Sequence, residues 1–67
     1  MQNSLKVERA RKNISQAELA SKLHVSRLTI HSIETGKFNP SVQLALKLAR
    51  HFNVKVEDLF MLEDEDE

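Results

Sequence analysis

The segment from Ser15 to Gly36 most restricts what this chain can fold into. It reads S-Q-A-E-L-A-S-K-L-H-V-S-R-L-T-I-H-S-I-E-T-G. Ser15 and Glu18 form an S-x-x-E capping box, which fixes a helix start. Leu19, Ala20 and Leu23 follow as an apolar stripe at helical spacing. Ser26 supplies a second helix cap, and Ile30 and Ile33 begin a second stripe. Gly36 ends that helix, because glycine enters the left-handed region without steric cost. Two short helices joined by a tight turn are therefore expected. Ala20 lies where they cross, so a larger residue there would push them apart. His24 occupies the turn, where a left-handed conformation is tolerated at some strain. Val25 is expected to plug the turn into the core.

The second of these helices carries an unusual outer face. With Ile30 and Ile33 pointing inward, a rotation of about 100° per residue turns Leu28, His31, Ser32 and Thr35 outward. Arg27 sits at the exposed N-terminal end, and Glu34 lies near the edge of the buried stripe. A merely solvated face is usually richer in Glu and Lys. Arginine can bond guanine O6 and N7, serine and threonine can meet several base edges, and leucine can touch a thymine methyl. The face suits a DNA groove.

The formal net charge of zero hides an asymmetry. Five acids occupy the last five positions, Glu63 to Glu67, so the rest of the chain has ten basic and five acidic residues, a net of +5. A basic body suits a polyanion. The segment 63–67 is read as an acidic, disordered tail, with competition against DNA phosphates for the basic face as the alternative. Sixty-seven residues make one domain, expected over 3–62. A chain of this size buries only about 60% of its unfolded surface, so a second copy is the expected extra source of stability. There is no cysteine, which excludes disulfides and thiolate metal sites. No apolar run approaches the roughly 20 residues of a membrane span. No signal-peptide pattern opens the sequence, and a cytoplasmic location is expected.

Gln16-Ala17-Glu18-Leu19-Ala20, Val25-Ser26-Arg27, Thr29-Ile30, Ile33-Glu34, Gly36-Lys37 and Asn39-Pro40-Ser41 together resemble the Cro/C1-type (XRE) helix-turn-helix family of transcriptional regulators. The resemblance runs from Leu5 to Phe60 and points to the small, single-domain members. It implies an all-α fold: a compact bundle of five short helices, lambda-repressor-like, with helices two and three as the helix-turn-helix. It also implies that Arg9 on the first helix pairs with Glu34. Gln16, at the positive N-terminal end of helix two, becomes a phosphate or base-edge contact. Lys37 and Asn39, in the following loop, become a second phosphate clamp. The face analysis and the resemblance assign base contacts to Arg27, Leu28, His31 and Ser32, and phosphate contacts to Gln16, Thr29, Lys37 and Asn39. Leu28 stands where a polar reader is common in the family, which points to thymine contacts or shape readout. His31 is either a pH-sensitive contact or a plain surface histidine.

Asn3 or Ser4 caps the first helix, anchored by Leu5 and running to about Lys12. An exposed Glu8 is expected to pair with Lys12. Ile14 stands where it can staple against Leu19. Phe38 is read as a packed anchor for its loop. Pro40 biases Asn39 to an extended conformation, and Ser41 caps helix four, about Val42 to Phe52. That helix carries so many apolar residues that burial on two sides is expected. Asn53 ends it. Val54-Lys55-Val56 is a connector, and helix five starts weakly at Lys55. Phe52, Val54, Leu59, Phe60, Met61 and Leu62 form the candidate dimer patch.

These features predict a transcriptional regulator, in the repressor role, that binds double-stranded DNA as a homodimer on a pseudo-palindromic site. The alternative is a protein-interaction module of the same fold, antitoxin-like or polymerase-bridging. Fold alone does not separate the two. An enzyme is not expected: His24, His31 and His51 lack metal-ligand spacing, and no glycine-rich phosphate loop exists. No metal, cofactor or small-molecule ligand is expected.

Overall fold

The computed structural model of the chain describes residues 1–62. The acidic segment 63–67, expected as a tail, lies outside the described residues. In chain order the elements are β1 (Gln2–Asn3), α1 (Leu5–Arg11), α2 (Gln16–Leu23), α3 (Arg27–Glu34), α4 (Val42–Phe52), α5 (Val56–Leu59) and β2 (Phe60–Met61). Among the described residues, five helices make the bundle. Sequence patterning gave no sign of the antiparallel pairing of β1 with β2, Gln2 opposite Met61 and Asn3 opposite Phe60. It is two residues long on each side and draws the two ends of the described chain together.

Serines start three of the helices. Ser15 Oγ accepts from Glu18 N at 3.0 Å while Glu18 Oε1 accepts from Ser15 N at 3.1 Å, which completes the capping box. Ser26 Oγ and Ser41 Oγ each accept a backbone N–H three residues on. At α1 the side chain comes from Asn3 and not from Ser4. Asn3 Oδ1 accepts from Leu5 N, and its amide also donates to Ile33 O at 2.9 Å, tying the chain start to the end of α3. Lys55 gives α5 no side-chain cap, and α5 is four residues long.

Four helices end in one way. Asn13, His24, Gly36 and Asn53 adopt positive φ of 55°, 58°, 79° and 56°. In each case the next N–H reaches back to a carbonyl five residues earlier: Ile14 to Arg9, Val25 to Ala20, Lys37 to Ser32 and Val54 to Ala49. This is the Schellman closure, which favours glycine at the left-handed position. His24 is exposed, so replacing it gives up no packing. His24→Gly is expected to raise stability by about 0.5 kcal/mol, the left-handed cost of histidine less the extra chain entropy of glycine. Thermal unfolding followed by circular dichroism checks this. A melting temperature that stays level or falls would contradict it.

The core consists of Leu5, Leu19, Ala20, Ile30, Ile33, Leu48, Ala49, Phe52, Leu59 and Phe60. Ala20 is buried, and α2 packs more extensively on α3 than on any other element. Ile14, Leu23 and Val25 pack against the same cluster from its margin.

Several expectations need correction. Glu8 pairs with Arg11 at 3.2 Å, not with Lys12, and its side chain is largely covered. Helix α4 is not buried on two sides: Leu48, Ala49 and Phe52 face the core, while Val42 and Leu46 stay exposed. Val56 opens α5 and is not part of the connector. Phe38, read as a packed anchor for its loop, is half exposed. The proposed dimer patch also divides. Phe52, Leu59 and Phe60 are buried within the chain's own core and offer nothing to a partner, because a bundle this small uses them to close itself. Of that set, Met61 and Leu62 remain exposed and Val54 half-buried.

Two groups tie stability to pH. Burial lowers the pKa of His51 below its usual 6.5, and the positive charges of Lys22 and Lys12 push the same way. Burial raises the carboxyl of Glu34, but hydrogen bonds from Arg9 and Gln16 and the charges of Arg9 and Lys6 outweigh it. The net pKa lies below the usual 4.5. In both cases the unfolded chain binds its proton first as pH falls, so acidification destabilises the fold. The His51 contribution is fully present above about pH 6.5 and is lost below it; the Glu34 contribution is lost below about pH 4.5. The melting temperature is expected to be level above pH 7 and to fall in two stages. His51→Gln should flatten the upper stage only. An upper stage that persists in that variant would contradict the assignment.

Candidate nucleic-acid interface

The tight turn between α2 and α3 places the N-terminus of α2 beside the outer side of α3, and a chain of side chains joins them. Arg9 Nε donates to Glu34 Oε2 at 2.8 Å and Arg9 Nη2 to Glu34 Oε1 at 3.2 Å, a two-pronged bond between α1 and α3. Arg9 Nη1 also donates to Ile14 O, holding the entry to α2. The two side chains are 17% and 4% exposed, so this is a sheltered pair. The side-chain hydrogen bond with Glu34 raises the Arg9 pKa above its ordinary value.

Gln16 extends this pair to the surface. Its Nε2 donates to Glu34 Oε1 at 3.0 Å and lies 3.4 Å from His31 Nδ1. A carboxylate accepts only, so the amide nitrogen must face it; the second amide proton is then available to His31, with Nδ1 as acceptor. Gln16 Oε1 in turn accepts from Arg27 Nη1 at 3.2 Å. One glutamine thereby links two proposed base readers to a covered ion pair. Expected as a DNA contact, Gln16 is within the structure a brace that sets where Arg27 and His31 stand. No local pattern marks this, because Gln16 and His31 lie fifteen positions apart on different helices.

The remaining candidates fall into two groups. Leu28, Thr29 and Ser32 line a surface hollow with Ser26 and Phe38. Leu28 is 64% exposed, so the outer face of α3 is free in the folded chain. Thr29 Oγ1 lies 2.9 Å from Ser26 Oγ and braces the start of α3. Lys37 and Asn39 are exposed in the loop after α3, with no side-chain hydrogen bond among the described residues.

A helix-turn-helix family model matches residues 5–59. The chain belongs to the Cro/C1-type helix-turn-helix family. The chain is similar to an uncharacterised HTH-type transcriptional regulator of Methanocaldococcus jannaschii, 53% identical over 66 residues, covering 98% of this chain and all of that protein. A protein of the same description from Archaeoglobus fulgidus is 47% identical, with 98% of this chain and 93% of the relative covered. YgzD of Bacillus subtilis, also described as an uncharacterised HTH-type transcriptional regulator, is 44% identical over 98% of this chain and its own whole length. Helix-turn-helix regulators of this family bind DNA and are not enzymes. In the helix-turn-helix of this chain, α2 and α3 are the paired helices and α3 holds the recognition position. Among the described residues, no helix is long and apolar enough to cross a membrane.

Proposed function

We propose that the protein represses transcription by binding, as a dimer, a pseudo-palindromic operator. Each subunit lays α3 in a major groove while α2 crosses the backbone and sets the register. Arg27, Leu28, His31 and Ser32 read base edges. Gln16, through its backbone N–H at the start of α2, and Thr29, Lys37 and Asn39 meet phosphates, which position the protein without carrying sequence information. One observation carries this reading: the outer face of α3 is exposed, and Arg27 and His31 on it are braced through Gln16 to the Arg9–Glu34 pair. Readers held in advance lose less freedom on binding. Repression requires only a stable complex in the path of polymerase. The dimer contact is assigned to Val54, Met61 and Leu62, the apolar residues near β2 that the core leaves uncovered.

Selecting binding sites from random duplex DNA and weighing the complex tests this proposal. Two chains on an inverted repeat with half-site centres about one helical turn apart are expected. One chain on an asymmetric site would overturn the dimer. Absent or salt-independent association with duplex DNA would favour a module of the same fold that binds a protein.

A further inference from the structure

The loop residue Phe38 and the helix residue Leu28 form one surface. Lys37 and Phe38 both donate backbone N–H groups to Ser32 O, at 2.9 and 3.2 Å, so the closure of α3 folds the loop back over the helix's outer side. Phe38 and Leu28 are thus two large apolar side chains, 49% and 64% exposed, that both line a hollow of about 210 Å3 completed by Ser26, Thr29 and Ser32. This is smaller than the roughly 300–1,000 Å3 of small-molecule pockets, and it is continuous with the face that reads DNA. Among the described residues no charged side chain lines it. The Ser26 and Thr29 hydroxyls are 2.9 Å apart, and one donates to the other. The Ser32 hydroxyl has no hydrogen-bond partner among the described residues.

Two apolar side chains beside the unpartnered Ser32 hydroxyl match a single base edge. In the major groove thymine presents its C5-methyl next to the O4 acceptor. Cytosine presents an amino donor and no methyl, and the purines present only polar atoms there. We propose that Leu28 and Phe38 together enclose the C5-methyl of one thymine per half-site while the Ser32 hydroxyl donates to O4 of the same base. This inference rests on α3 reading DNA, and it adds a specificity-determining residue that lies outside the recognition helix.

Deoxyuridine lacks only the methyl, so the test replaces each thymine of the selected duplex, one at a time, by deoxyuridine. At one position per half-site the wild-type chain is expected to bind about fourfold more weakly, the value of one buried methyl group. Phe38→Ala, folded by circular dichroism and still carrying Leu28, is expected to lose most of the discrimination between the thymine and deoxyuridine duplexes and to keep its affinity for random duplex. Phe38→Leu should retain part of the discrimination. Wild-type indifference to deoxyuridine at every position, or full discrimination in Phe38→Ala, would overturn the inference while leaving the DNA reading intact. A Phe38→Ala variant that changes only the oligomeric state would assign the hollow to a second copy of the chain and overturn it too. Loss of any preference for selected over random duplex would overturn the DNA reading itself, and this inference with it.

Discussion

Arg9→Ala is expected to cost about 3 kcal/mol of stability, the low end of what removing one partner of a covered ion pair costs. Glu34, only 4% exposed beside Arg9, would keep Gln16 as its one side-chain donor among the described residues in place of a two-pronged arginine. A chain of this length holds roughly 3–10 kcal/mol in all, so the variant would stand near the limit of folding. In a domain this small, that loss lowers the melting temperature by roughly 15 °C. The cost arises from an uncompensated charge and not from any large net gain of the pair. The double variant Arg9→Met with Glu34→Met is therefore expected to recover most of the loss, because well-packed apolar replacements of covered pairs are often neutral or better. Glu34→Met would also release Gln16, and with it the brace on Arg27 and His31. That double variant is expected to be stable yet weaker on selected DNA. An unchanged melting temperature in Arg9→Ala would show that the pair has no structural weight.

Local chemistry made much of this fold legible. The serine caps at Ser15, Ser26 and Ser41 and the left-handed stops at His24, Gly36 and Asn53 are short-range effects, visible in a few neighbouring residues. The alternation of Leu28 outward with Ile30 and Ile33 inward follows from helix periodicity alone. What the sequence hid depends on packing between distant segments. Phe52, Leu59 and Phe60 looked available to a partner, yet a core of ten residues needs them itself. Val42 and Leu46 looked buried, yet among the described residues nothing packs over their side of α4. Gln16 and Phe38 gained their positions only once α2, α3 and the following loop were folded on one another. The pairing of β1 with β2 rests on backbone groups and left no trace in side-chain pattern.

Arg27→Ala is expected to lose about 1–3 kcal/mol on the selected duplex and to relax one base position. That is roughly a five- to 150-fold weaker complex. The arginine is exposed at the first turn of α3, and its guanidinium is oriented by Gln16 Oε1 at 3.2 Å. A fixed guanidinium fork matches guanine O6 and N7, an interaction a flexible point charge does not reproduce. Arg27→Lys should therefore recover affinity for random duplex but not the lost base preference. Lys37→Ala is the counterpart. It should weaken selected and random duplexes alike and reduce the salt slope by about one, the mark of a lost phosphate contact. Equilibrium titrations of both variants against both duplexes, at two salt concentrations, separate the two roles. The same proportional loss from both variants on both duplexes would contradict the division between readers and positioners.

The central claim is that the outer face of α3 reads base edges from the major groove. Guanine N7 lies in that groove and is methylated by dimethyl sulfate unless it is covered. On the selected duplex, the bound wild-type chain is expected to protect one guanine N7 per half-site, and Arg27→Ala, added at saturating concentration, to leave that guanine reactive. A bound complex whose guanines are methylated as in free DNA would contradict the claim.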